Sequence, residues 1–211
     1  MGCEVDTKTL RAIQEDLSSR VILKDMFGDL KLIGGVDLAY KGNVGVCIIA
    51  IFDYKSMKQE HVFHLYDKVD FPYIPGFLSF REGPLIKKLY ISLEQKPDIL
   101  LVNGNGILHP RFIGLASHIG VELDTPTIGV TRHLLCGNVK EDGRIYIGKR
   151  QVGYTYPKDA HHPIYISPGH KVSLKSSLKI VKHCINRHKL PEPLYIADRL
   201  SKQLISSVQP S

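Results

Sequence analysis

The chain has 211 residues, and its 43% hydrophobic and 23% charged content is ordinary for a soluble protein. A chain of this length buries one sizeable core, so we predict a single domain over residues 1–211. The longest apolar runs, such as residues 44–52, are too short to span a bilayer, and no signal-peptide core follows the N-terminus. We therefore expect a cytoplasmic protein without a membrane segment.

The net charge of +7 at neutral pH favours a polyanionic partner such as nucleic acid, although many other proteins are also basic. The four cysteines lie far apart and form no CxxC pair, so the sequence predicts neither a zinc site nor a redox motif. Reduced thiols are expected at all four positions, Cys3, Cys47, Cys136 and Cys184.

The first third of the chain changes from helical to strand-like periodicity. Asp6 is a suitable N-cap for a first helix that ends near Arg20, because apolar residues follow it at helical intervals. The period then becomes that of strands over residues 30–40, 44–52 and 60–69. Three consecutive strands joined by short turns predict an antiparallel meander.

The rest of the chain alternates helices and strands. Leucines at helical spacing over residues 85–93 precede an apolar strand at 99–102, a helix at 113–119 and a strand at 126–130, the order of parallel βαβ units. A hairpin at 144–156, a strand at 164–166, a helix capped by Ser173 and a final helix after Pro191 follow. The predicted fold is α/β, a mixed sheet flanked by helices, and this order is similar to the ribonuclease H-like fold.

A glycine-rich loop follows the strand at 99–102 and begins Asn103-Gly104-Asn105-Gly106, where α/β sheets present catalytic side chains. Three other motifs accompany it, Val36-Asp37, Pro72-Tyr73-Ile74-Pro75-Gly76 followed by Phe80-Arg81-Glu82, and Ile128-Gly129-Val130. With these motifs the chain resembles the endonuclease V family of inosine-directed nucleases over nearly its whole length. In that family the first position of the loop is a metal-binding aspartate, whereas this chain has Asn103.

Breaking a phosphodiester at neutral pH needs an activated water and positive charge near the phosphate, which two Mg²⁺ ions about 3.5 to 4 Å apart supply. The resemblance assigns the metal positions to Asp37, Glu82, Asn103 and Asp198, with Mn²⁺ as a substitute ion. Each carboxylate has a structural alternative: a solvated turn for Asp37, the helix dipole for Glu82 and a surface pair with the next residue for Asp198. Because the amide removes one negative charge, we expect an inactivated variant, introduced or natural.

The segment Pro72-Tyr73-Ile74-Pro75, with Gly76, predicts a stiff loop, because two prolines fix the backbone and display the residues between them. The resemblance implies a wedge that helps to turn the inosine base out of the stack, and the alternative is a turn that packs its tyrosine into the core. Backbone freedom at Gly104 and Gly106 predicts loop amides that recognise a base edge.

His109 and Arg132 match family positions near the scissile phosphate, with Arg132 standing where lysine is common. His109 is alternatively a structural loop histidine. Ser167, Gly169 and His170 also match the family, and they are predicted to precede a helix that offers amides to phosphate. Lysines at 171, 175, 179 and 182 give that helix a basic stripe, which either contacts DNA or is a solvated face.

These assignments predict a monomeric DNA repair endonuclease that binds DNA containing deoxyinosine. It would hydrolyse a phosphodiester on the 3′ side of the lesion with Mg²⁺ and leave 5′-phosphate products. One alternative is a non-catalytic reader of inosine-containing nucleic acid, in which Asn103 is the natural state. Another is an inosine-directed ribonuclease of the same family, which would act on inosine RNA.

Overall fold

The computed structural model describes residues 5–157 and 161–208. Five α-helices lie in these residues, namely α1 (Thr7–Ser19), α2 (Leu78–Ser92), α3 (Leu115–Glu122), α4 (Leu174–Cys184) and α5 (Glu192–Ser206). The strands there are β1 (Leu32–Lys41), β2 (Val44–Asp53), β3 (Gln59–Lys68), β4 (Ile99–Asn103), β5 (Thr127–Thr131), β6 (Asn138–Val139), β7 (Arg144–Ile147), β8 (Arg150–Tyr156) and β9 (Ile164–His170). Cys3 lies outside the described residues, and the other three cysteines are free thiols, as predicted.

All of these strands belong to one open sheet, in the order β3-β2-β1-β4-β5-β9-β8-β7-β6. The predicted meander is confirmed, because β1, β2 and β3 pair antiparallel. β4 joins β1 in parallel, and β5 joins β4 in parallel. β9 then pairs antiparallel with β5 and begins a second antiparallel region. The α/β class and the mixed sheet are therefore confirmed.

Helices cover both faces of this sheet. On one face, α4 and α5 contribute Ile180 and Leu194 to a buried cluster with residues of the central strands. On the other face, α2 and α3 contribute Leu89 and Ile119 to a second cluster. β2 is buried along most of its length because both of its faces are covered, which explains its nearly continuous apolar sequence.

Both predicted helix caps are confirmed. The Asp6 carboxylate accepts hydrogen bonds from the backbone N–H groups of Lys8 and Thr9 at the start of α1. Ser173 Oγ accepts one from the backbone N–H of Ser176 at the start of α4. These bonds satisfy donors that the first helical turn leaves without partners. No helix in the described part of the chain is long and apolar enough to cross a membrane.

Two element boundaries differ from the sequence prediction and change the setting of site residues. β9 runs on to His170 instead of ending at Ile166, because a register shift against β5 accommodates Pro168 within the strand. α2 begins at Leu78, so Glu82 lies in its second turn rather than at its start. The first change places Ser167, Gly169 and His170 inside the sheet, and the second places Glu82 one turn into α2.

The backbone of α5 lies against β1 at Gly35. A Cβ added to Gly35 would come within 2.3 Å of the carbonyl carbon of Pro193, so only glycine permits this approach. The contact brings Asp198 and Ser201 of α5 beside Asp37 of β1. Residues about 160 positions apart in sequence are thereby placed in one site.

Candidate active site

Asp37 and Asn103 lie side by side on the neighbouring parallel strands β1 and β4. The register pairs Val36 with Val102, so the next residue of each strand stands at the same level. Asn103 Nδ2 donates a hydrogen bond of 2.6 Å to Asp37 Oδ1. Two of the positions that the resemblance assigns to the metal site are thus in contact, and the amide supplies a donor where an aspartate would supply a second negative charge.

The Asp37 carboxyl is almost completely buried, with 8% of the residue exposed. Burial raises its pKa to about 6, and the Asp198 carboxylate adds to that rise. Hydrogen bonds from Asn103 and from Ser201, whose Oγ lies 3.1 Å from Asp37 Oδ2, oppose the rise. The solvated turn considered for Asp37 is therefore wrong.

Glu82 reaches the same site from α2, and it is partly buried. Burial raises its pKa to about 8, and the nearby Asp37 carboxylate contributes to the shift. The protonated form of Glu82 is therefore favoured when no cation is bound. A carboxylate that complements the helix dipole belongs in the first turn, whereas Glu82 lies in the second turn of α2.

Asp198 approaches from α5 and forms two ion pairs. Its Oδ2 lies 3.2 Å from Arg132 Nη2, and its Oδ1 lies 2.7 Å from Lys202 Nζ. The surface pair with Arg199, the alternative for this residue, is not the one that forms. Because Asp198 also contributes to the raised pKa of Asp37, it acts electrostatically on the site.

The donor set suits a hard divalent cation, because three carboxylates and an amide oxygen are ligand types that such ions prefer. The raised pKa values of Asp37, which is buried, and of Glu82, which is partly buried, indicate two carboxyl groups that a cation would stabilise. Within the described residues no group of three or more His, Cys, Asp or Glu side chains is arranged to hold a metal ion. Asn103 directs its NH₂ group at Asp37, and Asp198 is engaged by two cations.

A cavity of about 350 Å³ adjoins Asn103. Its walls come from the loop after β4, the loop before α2, helix α1 and the segment after β5, and they include Gln14, Tyr73, Gly76, Asn103, Gly104, Asn105, His109, Leu115, His133 and Leu135. This volume lies at the lower end of the range for small-ligand pockets, roughly 300 to 1,000 Å³. The cavity is therefore of a size for one small ring system next to the carboxyl groups.

The glycines of the loop after β4 serve close packing. A Cβ on Gly106 would lie 2.1 Å from the carbonyl oxygen of Pro168, and a Cβ on Gly129 would lie 2.3 Å from Gly106 N. The N–H of Gly106 donates to Ser167 Oγ at 2.8 Å, and that of Gly104 donates to the carbonyl of Val130 at 3.0 Å. The N–H groups of these two glycines are therefore already engaged within the protein, while Gly104 itself lines the cavity.

Ser167, Gly169 and His170 precede α4, as the sequence predicts, and they lie in strand β9 of the sheet rather than at the N-terminus of the helix. All three are buried in β9, and α4 begins only at Leu174. His170 Nδ1 accepts a hydrogen bond of 3.2 Å from the backbone N–H of Ile22. Their role is to support the loop after β4 and the segment after α1.

The loop Pro72–Gly76 displays its tyrosine outward, as the wedge prediction requires. Tyr73 is 69% exposed and borders the cavity, so the alternative in which it packs into the core is wrong. Pro72 and Pro75 are also exposed. The loop ends at Gly76, whose φ of +80° lies in the left-handed region that favours glycine.

Two side chains that the sequence did not single out hold the base of this loop. The carbonyl oxygen of Gly76 accepts hydrogen bonds from Gln14 Nε2 at 3.0 Å and from Arg111 Nη2 at 2.8 Å. Arg111 Nε also donates to Gln14 Oε1 at 2.6 Å. Gln14 is 1% exposed on the face of α1 between Leu10 and Leu17. In the sequence, the sign of this contact is a single polar residue, Gln14, on the otherwise apolar face of α1.

His109 joins the same network rather than the carboxyl cluster. Its Nε2 lies 3.2 Å from the Gly76 carbonyl oxygen, and its Nδ1 accepts from the backbone N–H of Arg111. Burial and the nearby Arg111 side chain lower the pKa of His109 to about 4. The imidazole is thus neutral, with its proton on Nε2, and both nitrogens are engaged. The structure places His109 in the structural role considered for it.

Comparisons with known proteins identify the family and match the fold of the chain. The Endonuclease V family model matches residues 15–199. Endonuclease V from Dictyoglomus turgidum is 41% identical over 203 residues, which cover 92% of this chain and 89% of that protein. Endonuclease V from Ciona intestinalis, solved with a 24mer DNA containing an inosine followed by a ribo-adenosine, gives a TM-score of 0.87 at 27% identity and covers 96% of this chain and 99% of that chain. The catalytic domain of human endonuclease V gives 0.86 at 27% identity, covering 96% and 97%. The chain belongs to the endonuclease V family.

Proposed function

We propose that this protein is a DNA repair endonuclease that recognises deoxyinosine and hydrolyses a phosphodiester on its 3′ side, leaving a 5′-phosphate. The observation that carries the proposal is the cavity beside Asp37 and Asn103, with Tyr73 exposed at its rim. The inosine-containing DNA bound by the relative from Ciona intestinalis supports the choice of substrate. Residues 1–211 would act as one domain, as a monomer and in the cytoplasm, as the sequence suggests.

Recognition would begin at the wedge loop. A base that leaves the duplex loses its stacking and pairing, which costs a few kcal/mol, and the cost is lower for a mispaired base such as hypoxanthine. The phenol ring of Tyr73, which is exposed and borders the cavity, would fill the gap left in the stack, and the extruded base would enter the cavity. Gln14 and Arg111 hold the Gly76 carbonyl, so the wedge is prepared before DNA arrives.

Cleavage would take place at the carboxyl groups. Asp37, Glu82 and Asp198, with the amide oxygen of Asn103, are the side chains that would hold Mg²⁺, or Mn²⁺ in its place. The ion would supply an activated water and charge stabilisation at the phosphate. Arg132 is half exposed beside Asp198 and would contact the phosphate with its planar guanidinium group.

Asn103 would impair this step through both charge and geometry. An aspartate at position 103 would place two carboxylates next to each other, and a cation would relieve their repulsion. The amide instead donates to Asp37 at 2.6 Å and stabilises the site without an ion. One negative ligand is lost and the competing hydrogen bond is gained, so weaker cation binding and slower cleavage follow.

The hydrogen bond between Asn103 and Asp37 also favours a second function, that of a non-catalytic reader of inosine-containing nucleic acid. A protein that only binds the nucleic acid needs no cation at this site, and the hydrogen bond from Asn103 already stabilises the Asp37 carboxylate. The wedge and the cavity would then be the whole function. Restoring the carboxylate separates the two possibilities.

The substitution Asn103→Asp should restore Mg²⁺-dependent nicking of a deoxyinosine duplex by orders of magnitude, because each 1.36 kcal/mol of transition-state stabilisation is worth about tenfold in rate. The matched control is Asn43→Asp, which adds the same charge at an exposed turn between β1 and β2. Nicking is measured on deoxyinosine duplex, on undamaged duplex and on inosine RNA, and the RNA arm detects a ribonuclease. An Asn103→Asp protein that binds the lesion and stays inert would contradict the enzyme and support the reader.

The substitution Tyr73→Ala should weaken binding to deoxyinosine duplex about tenfold or more while affecting undamaged duplex little, since the wedge is used only when a base leaves the stack. Tyr66→Ala serves as the control, because Tyr66 is another exposed tyrosine, on β3. Equal losses on the two duplexes would show that Tyr73 does not act on the extruded base.

The pH dependence of thermal stability tests the cation site. The folded-state pKa values of Asp37 and Glu82 are raised, to about 6 and about 8, so the stability they contribute is present below pH 4 and is lost as pH rises through those values. Mg²⁺ competes with these protons and should therefore raise the Tm more at pH 8 than at pH 5.5. Glu82→Gln should remove most of that difference, and the exposed Glu60→Gln should not. A Tm response to Mg²⁺ that is independent of pH would exclude these carboxyls as ligands.

A further inference from the structure

Two neighbouring cavities form a groove that the proposed chemistry does not use. The nearer cavity, about 360 Å³, lies between the segment after β5, the start of β9 and the loop after α4. The farther one, about 430 Å³, lies between the end of β8 and the loop after α4. They share His162, Ile164 and Lys189, so they form one continuous surface. We call this surface the basic groove.

The basic groove begins where the base cavity ends. His133 lines both the base cavity and the nearer half of the groove. Arg132, which pairs with Asp198 at the carboxyl cluster, lines the groove as well. The groove is therefore contiguous with the base cavity at His133 and reaches the carboxyl cluster at Arg132.

The lining of the groove is strongly cationic. Arg132, Arg187 and Lys189 carry permanent charge, and His133, His161 and His162 add ring N–H donors. All six side chains belong to exposed residues. Among the described lining residues of the two cavities there is no carboxylate. A concave surface of one charge sign focuses its field outward and attracts anions.

The loop after α4 is held rigidly, so its cations are presented in a defined place. His188 stacks on Tyr195 with ring centroids 3.4 Å apart and planes 9° from parallel. Glu192 accepts hydrogen bonds from His188 Nδ1 at 2.9 Å and from the backbone N–H of Arg187 at 2.8 Å. This carboxylate is thereby used inside the loop, and over residues 5–157 and 161–208 no acidic side chain pairs with the side chains of Arg187 or Lys189.

We propose that the basic groove binds the sugar-phosphate backbone of the lesion-bearing strand on the 3′ side of the cleaved bond. The inference rests on the proposed function, which places the base in the cavity and the scissile phosphate 3′ to it. A strand that continues beyond that phosphate runs past Arg132 and enters the groove. Phosphate oxygens at regular spacing match a row of arginine, lysine and histidine donors.

The lysines of α4 provide a matched comparison. Lys175 and Lys179 are exposed on a helix surface, and neither lines either cavity of the groove. Removing Lys175 and Lys179 takes away the same charge as removing Arg187 and Lys189 from the groove. A general electrostatic effect on DNA affinity would therefore be equal for the two pairs, whereas binding in the groove would make the loss larger for Arg187 and Lys189.

The test compares Arg187→Ala/Lys189→Ala with Lys175→Ala/Lys179→Ala by fluorescence anisotropy in EDTA. Each phosphate contact on duplex DNA contributes about 0.9 to the slope of log affinity against log salt. The groove variant should therefore lower the slope by about 1.8, so that raising salt from about 50 to 200 mM costs it roughly tenfold less affinity than the parent. The α4 variant should keep the parent slope. The Tm of each variant checks that folding is intact.

Trimmed duplexes then locate the contact on the strand. Shortening the flank 3′ of deoxyinosine should abolish the difference between the parent and the groove variant, whereas shortening the 5′ flank should leave it. Equal slope losses in the two variants, or a difference that follows the 5′ flank, would overturn the proposal. An unchanged slope in the groove variant would also overturn it.

The affinity of the parent protein for the two duplexes tests the proposed function separately from the groove. Equal affinity for deoxyinosine duplex and undamaged duplex would contradict that function. In that case plain duplex still tests the groove, because a reduced salt slope for Arg187→Ala/Lys189→Ala supports backbone binding and a parental slope overturns it.

Discussion

The hydrogen bond between Asn103 and Asp37 closes a site that would otherwise contain adjacent buried carboxylates. Burial raises the pKa values of Asp37 and Glu82, and a neighbouring carboxylate adds to each rise, Asp198 for Asp37 and Asp37 for Glu82. These groups are therefore stabilised by protons, hydrogen-bond donors or a cation. The amide provides a donor to Asp37 at 2.6 Å. The residue at position 103 can therefore determine whether the site needs a bound cation for stability or is stabilised by a hydrogen bond within the protein.

The scaffold creates this site by bringing backbones unusually close. Gly35 lets α5 lie against β1, while Gly106 and Gly129 let the loop after β4 pack on the next strands. No residue with a Cβ fits at these places without movement of the backbone. Close packing fixes where the polar side chains of α5 and the loop stand, and it explains glycines that local sequence associates only with flexibility.

Much of the fold was readable from the sequence because hydrophobic periodicity reports local structure. The meander, the helix caps at Asp6 and Ser173 and the meeting of Asp37 with Asn103 followed from strand patterns and from the resemblance to a known family. Long-range side-chain contacts left no such pattern. The bonds from Gln14 and Arg111 to one loop carbonyl join three distant segments, and no local rule predicts them.

The length of β9 depends on its partner strand. The sequence predicts a strand that ends at Ile166, before Ser167, Gly169 and His170, whereas β9 includes these residues. The register shift against β5 absorbs Pro168, and the strand continues with all three residues buried. Bulges of this kind depend on the partner strand, and the sequence of one strand does not contain that information.

The state of the Asn103 side-chain amide is the most direct measure of how this site is stabilised. Its two protons are identified in ¹⁵N–¹H spectra by their loss in Asn103→Asp, and the exposed Asn43 provides a reference for free exchange. In metal-free protein at neutral pH we predict that one Asn103 amide proton is protected from solvent exchange, and that Asp37→Ala removes this protection. Exchange of both protons at the rate seen for Asn43 would contradict a site closed by the bond to Asp37.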